Sequence, residues 1–180
     1  PFIVLGGDLD AVAATAAKAR LSNAGQACNS PKRILVPAGM FDEFVQTVVE
    51  TVEGMPVGDP LAEDTEIGPL SSVQGRDDAV SQVERAVEQG ATLHTGGRAL
   101  DKDGAWMSPA VLTGVTREMD AFKEEIFGPV LSVAKFGSYD DAISIANDTL
   151  YGLGAGVWAR SGNTAYRAGR AIQSGRVWVN

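Results

Sequence analysis

The chain's one cysteine, Cys28, lies in the stretch Asn23-Ala24-Gly25-Gln26-Ala27-Cys28-Asn29-Ser30-Pro31-Lys32-Arg33. Gly25 supplies backbone angles that other residues avoid, and Pro31 lacks an N–H and fixes the chain as it leaves the turn. A lone thiol on such a rigid, Gly/Pro-bounded turn has the layout of an activated nucleophile, whose reactive form is the thiolate. The competing reading is a small buried hydrophobe, the usual fate of a free cysteine. The polar neighbours Asn23, Gln26, Asn29 and Ser30 make this a poor place for an inert core residue. His94, the only histidine, has no Cys/His cluster around it and lies far from any nucleophile motif, so neither a metal site nor a Ser/His/Asp triad is expected.

Stepping outward from Cys28, an Ala-rich helical run from Ala11 to Arg20 precedes the turn and the strand-like Ile34-Leu35-Val36 follows it. The thiol therefore belongs to a helix-to-strand connection at the edge of a sheet. Upstream, Phe2 to Leu5 reads as a buried strand, and Asp8 or Asp10 caps the helix. Phe41, Phe44, Val45, Val48, Val49 and Val52 recur on one face of a helix that ends at Gly54. Residues 55–70 are broken by Gly and Pro into an irregular loop. Val80, Val83 and Val87 mark a further helix stopped by Gly90, and Thr92 to Thr95 a short strand. Strands are expected near Val111-Leu112, over Pro129 to Phe136, over Gly154 to Ala159 and over Arg176 to Asn180. Ser138 with Asp141 resembles a capping box opening one helix, and Ser161 caps another that runs to Ile172. This alternation argues an α/β domain with a mainly parallel sheet. Ligands of such sheets gather at the carboxyl ends of the strands and at adjoining loops. The Gly152-Leu153-Gly154-Ala155-Gly156 run enters a strand rather than a helix and reads as close backbone packing, and Trp106, Trp158 and Trp178 as core or interface aromatics.

The chain has 180 residues, enough for one sizeable domain with a full core. A formal charge of −8 argues against a nucleic-acid surface. No apolar run approaches the roughly 20 residues of a membrane span, so no membrane partner is expected. One cysteine excludes an internal disulfide and fits a reducing, cytoplasmic setting. The apolar Pro1-Phe2-Ile3-Val4-Leu5 start and Val177-Trp178-Val179-Asn180 end predict a fragment of a larger protein.

Four blocks follow one another: Asn23 through Arg33; Gly58-Asp59-Pro60 with Ile67-Gly68-Pro69-Leu70; Glu124-Glu125-Ile126-Phe127-Gly128-Pro129-Val130; and Asn147-Asp148-Thr149-Leu150-Tyr151-Gly152-Leu153. Together they resemble the aldehyde dehydrogenase superfamily, specifically its catalytic, cysteine-bearing domain, over essentially the whole chain. The resemblance implies a three-layer α/β/α fold and a single catalytic domain over residues 1–180. It also implies that the NAD(P)-binding domain, the oligomerisation segment, the general-base glutamate and the oxyanion asparagine lie outside this sequence. By the same resemblance Cys28 is the nucleophile that forms a thiohemiacetal and then a thioester, with its backbone N–H as an oxyanion donor. Glu125 matches the carboxylate that receives the nicotinamide-ribose hydroxyls, and Phe127 the aromatic beside the nicotinamide. Without the block around them, Glu124-Glu125 would read as a solvated charge pair and Phe127 as a core aromatic; within it, Glu124 is read as structural. Lys32 and Arg33 lie four and five residues beyond the thiol, and strand alternation aims Arg33 away from it, a structural role.

The implied activity is oxidation of an aldehyde to a carboxylic acid with NAD or NADP as cofactor, by a parent that forms a homodimer or homotetramer, the isolated fragment being inactive. The Asn29-Ser30-Pro31-Lys32-Arg33 ending is similar to bacterial members near the succinate-semialdehyde dehydrogenase group. Two rival readings are a cysteine-based esterase or thioesterase, and a non-catalytic interaction module using exposed sheet edges.

Overall fold

Phe2, Ile3 and Val4 are all buried, which a strand achieves only when both faces of its sheet are covered. The computed structural model describes residues 1–180 and shows how that cover is arranged. Its strands are β1 (Phe2–Val4), β2 (Arg33–Pro37), β3 (Thr92–Thr95), β4 (Ala110–Thr113), β5 (Val130–Phe136), β6 (Gly154–Trp158) and β7 (Arg176–Val179). The helices are α1 (Leu9–Leu21), α2 (Phe41–Glu53), α3 (Val73–Glu88), α4 (Asp120–Lys123), α5 (Tyr139–Asn147) and α6 (Gly162–Ala171). One sheet takes the order β3-β4-β5-β2-β1-β6-β7, parallel throughout except for the β3–β4 pair.

Side-chain alternation divides the core in two. Phe2 and Val4 of β1, Ile34 and Val36 of β2, and Leu131 and Val133 of β5 pack under α1 and α2. Ile3, Leu35 and Val130 face the opposite layer, which contains α3, α5 and α6. The result is the three-layer α/β/α architecture with a mainly parallel sheet. Asp8 caps α1 by accepting from the Ala11 N–H, Ser138 caps α5 through Asp141, and Ser161 caps α6 through Thr164. At the Ser138 cap the return bond comes from the Gly137 N–H to Asp141, one residue earlier than in a standard capping box.

Several details differ from the pattern read in the sequence. On α3 the buried face is Ala79, Val83 and Ala86, while Val87 is exposed, because small alanines let the helix lie close to the sheet and rotate Val87 outward. The short α4 has too few residues to show a periodicity and was not anticipated. Of the tryptophans read as core or interface aromatics, Trp158 is half-buried against the core under α1 and α2, Trp106 is half-buried, and Trp178 on the edge strand β7 is exposed. The glycines of β6 do serve close packing. A Cβ on Gly156 would come within 2.8 Å of the Phe2 ring, and one on Gly154 within 2.8 Å of the Trp178 ring.

Phe44 of α2 is fully buried, whereas Leu150 is fully exposed. Phe44→Ala should therefore cost about 3–5 kcal/mol in urea unfolding through the cavity it leaves. Leu150→Ala should stay within about 0.5 kcal/mol of the parent stability.

Candidate active site

The Cys28 turn owes its shape to the way α1 ends. Asn23, Ala24 and Gly25 adopt φ of 53°, 54° and 73°, three consecutive residues in the left-handed region. Glycine does this freely and asparagine tolerates it, but an alanine there is strained and persists only where its surroundings hold it. Ala24 is held by burial. A Cβ on Gly25 would lie 2.1 Å from the Gly128 carbonyl oxygen, so only glycine lets the cysteine turn and the Glu-Ile-Phe-Gly-Pro loop touch.

The contact is locked by a side chain that the sequence reading passed over. Arg20 is fully buried and spends its five N–H donors on oxygen acceptors. Nε donates to Val130 O at 2.6 Å, Nη1 to Gly25 O at 3.1 Å and Ser30 Oγ at 2.6 Å, and Nη2 to Ile126 O and Gly128 O at 2.7 Å each. Burial pulls its pKa down to about 10, which leaves it charged at neutral pH, and the nearby Glu125 carboxylate opposes that fall. A signal was present: Arg20 falls on the same face of α1 as Val12, Ala13, Ala16 and Ala17, all of them buried.

Cys28 is unpaired and exposed, which rules out the buried-hydrophobe alternative. It lines a cleft of about 150 Å³ with Lys32, Glu125, Tyr151 and Leu153. Phe127 does not line this cleft. Its ring is 45 % exposed and faces a neighbouring polar groove of about 390 Å³, with Gln26, Ser71, Gln82 and Arg85. Glu125 borders both spaces, so the structure joins Cys28 to Glu125 directly and Phe127 through Glu125. Lys32 stands between them, 2.6 Å from Glu125 Oε1 and 5.8 Å from the Phe127 ring centre. Its Nζ also donates to Ala27 O at 2.9 Å and Cys28 O at 3.0 Å. Burial lowers the Lys32 pKa, and the Glu125 hydrogen bond works against that fall.

Two neighbouring charges also border the cleft, with their hydrogen bonds made to other elements. Glu124 Oε2 accepts from Gln82 Nε2 and Arg85 Nη2, both at 2.9 Å, and is tied to α3. Arg33 is buried against the Phe122 ring and donates to Ile145 O, Ala146 O and Asp148 O at the end of α5, away from the thiol. His94 contacts Thr113 across the β3–β4 pair at 2.8 Å, and no group of three His, Cys, Asp or Glu side chains is placed to hold a metal ion.

Three of the four sequence blocks line the cleft, and the fourth lies beside it. The 55–70 loop is closed by Gly58 N–H donating to Ile67 O, and just beyond it Ser71 N–H donates to Gln26 Oε1 at 2.8 Å. The Asn147–Leu153 block is fixed by Asn147, which bonds Ala171 O and Gln173 N–H, and its Tyr151 and Leu153 form the far wall of the cleft. The cleft lies at the amino ends of the parallel strands, as the helix-to-strand position of Cys28 requires. It is lined by segments that run into β2, β5 and β6, because the cysteine turn, the Glu-Ile-Phe-Gly-Pro loop and the 149–153 segment all connect helices to strands.

Architecture and cleft together define an α/β domain with a mostly parallel sheet whose polar cleft opens among its helix-to-strand connections. Residues 1–180 match the family model described as the aldehyde dehydrogenase family, and the chain belongs to that family. It is 48% identical over 163 residues to a "Probable aldehyde dehydrogenase" of Mycobacterium tuberculosis, a match covering 88% of this chain and 32% of that protein. It is 41% identical to the "Succinate-semialdehyde dehydrogenase [NADP(+)] 1" of the same organism, covering 100% of this chain and 40% of that one. An NAD-dependent aldehyde dehydrogenase from Sinorhizobium meliloti superposes with a TM-score of 0.97 at 39% identity, over 99% of this chain and 36% of that one. The chain thus spans about a third to two fifths of the length of these relatives.

Replacing Arg20 by Met would leave five buried oxygens short of a donor; a loss of about 3 kcal/mol or more is expected in urea unfolding. Arg20→Lys should recover part of it by keeping the charge with fewer donors. Gly25→Ala should destabilise the chain and slow alkylation of Cys28 by iodoacetamide, since the added methyl drives the two loops apart.

Proposed function

We propose that this chain is the thiol-bearing part of an NAD- or NADP-dependent aldehyde dehydrogenase that oxidises a small aldehyde to its acid, with Cys28 as nucleophile. The observation that carries the reading is the shared cleft of Cys28 and Glu125, an exposed thiol beside a carboxylate that also borders the groove of Phe127.

The chemistry follows from the residues present. The Cys28 thiolate adds to the aldehyde carbon, forming a C–S bond as the carbonyl electron pair moves to oxygen. The Cys28 N–H donates to no backbone carbonyl and is free to stabilise that oxygen. NAD or NADP, when bound, is the two-electron acceptor for the hydrogen that leaves the same carbon. Cys28 is left carrying a thioester; water cleaves it to the acid and returns the thiol. A free thiol has a pKa of about 8.5 and is mostly protonated at neutral pH, so this chemistry needs a base or a cation at the sulfur.

The fit to the cofactor rests on Glu125 and Phe127. Lys32 occupies Glu125 Oε1, and the carboxylate is about one-third exposed, which leaves its other oxygen able to accept from a ribose hydroxyl. The exposed Phe127 ring offers a flat surface to a nicotinamide at the mouth of a polar groove. The likeness to the mycobacterial succinate-semialdehyde dehydrogenase makes succinate semialdehyde the first aldehyde to try. An unpaired surface thiol with this role needs a reducing compartment, which favours the cytoplasm.

The test is an aldehyde panel with NAD and NADP on the full-length protein that carries this segment. Aldehyde-dependent growth at 340 nm is expected, and Cys28→Ala should abolish it; turnover surviving in that variant removes Cys28 as nucleophile. Glu125→Gln should raise the cofactor KM about tenfold, the scale of one charge-assisted hydrogen bond. Ester hydrolysis indifferent to both cofactors would instead favour a thiol esterase.

A further inference from the structure

We propose that Lys32 is the positioning residue for the Glu125 carboxylate, holding it in the place from which it receives the cofactor. The inference rests on the cofactor role given to Glu125 above and adds a residue to which no role has been assigned.

Lys32 makes direct contact with the cysteine turn and with Glu125, and it lies near the Phe127 ring as well. An ammonium has three N–H donors, and here there are three acceptors: Glu125 Oε1, Ala27 O and Cys28 O, at 2.6, 2.9 and 3.0 Å. An exposed lysine paired with one carboxylate swings freely and contributes little. Lys32 differs because two of its partners are carbonyls of the turn that carries the nucleophile, and its side chain is only 20% exposed. The ammonium is therefore a fixed point to which Glu125 is tied.

The tie matters because Glu125 has few other anchors. Its preceding neighbour Glu124 is bound to α3, and its following neighbour Ile126 is held by its carbonyl on Arg20. Those contacts fix the backbone on either side, but the Glu125 side chain is directed by Lys32. With Oε1 occupied, the carboxylate presents its remaining oxygen in one orientation. Without Lys32 it would swing among its rotamers, and binding would have to order it. The cost falls on cofactor affinity rather than on the bond-making step at Cys28.

The test uses the full-length enzyme, with NAD and NADP binding followed by tryptophan fluorescence in the absence of aldehyde, alongside steady-state kinetics. Lys32→Met should weaken binding and raise the cofactor KM about tenfold, with kcat changed far less, as expected for loss of one charge-assisted contact. Lys32→Arg, which keeps the cation, should bind more tightly than Lys32→Met. Because Lys32 acts through Glu125, the Lys32→Met/Glu125→Gln double variant should bind no more weakly than Glu125→Gln alone. Additive losses, or Lys32→Met binding as wild type while Glu125→Gln binds weakly, would overturn the role of Lys32 and leave that of Glu125 standing. Wild-type binding by Glu125→Gln would remove the cofactor role of Glu125, and this proposal with it.

Discussion

The buried guanidinium of Arg20 is the constraint on which the site depends. Taking a cation out of water is costly and is tolerated only where its hydrogen bonds are remade inside. Arg20 meets that condition through Gly25 and Ser30 on one side and Ile126, Gly128 and Val130 on the other. These acceptors flank Cys28 and directly follow Glu125, two residues nearly a hundred positions apart in the chain. Hydrophobic packing alone is non-directional and would bring the two loops near each other. The planar fork of an arginine, with five donors aimed at fixed angles, sets their register.

Placing this junction at the amino ends of the strands separates it from the usual ligand position in open α/β sheets. There the helix N-termini above the carboxyl ends supply the binding groups. Here the lining comes from chain arriving from helix C-termini: α1 leads into the cysteine turn and α4 into Glu124 and Glu125. The consequence is a cleft built from side chains and carbonyl anchors. Lys32, which lines the cleft, supplies a positive charge there in place of a helix N-terminus.

Much of this was legible in the sequence. The apolar stripe of α2 gave its length and its end at Gly54, and the polar neighbours of Cys28 gave its exposure. Of the four blocks that carry the family resemblance, three line the cleft. What escaped has a common cause. Arg20 sits among alanines on a helix whose apolar stripe is weak, and its partners at Ile126 and Gly128 lie more than a hundred residues away. Lys32 pairs with Glu125 across a similar distance, and no local spacing rule reaches that far.

Close contact at Gly25 and Gly128 also bears on how the cleft can breathe. With no room for even a methyl group between the two backbones, and with one cation gripping both, the walls bearing Cys28 and Glu125 travel together as a single block. The facing wall, the Thr149–Leu153 segment, is tied instead to the chain entering β7, through Gly152 O and Leu153 O, so the two sides of the cleft are anchored to different parts of the sheet.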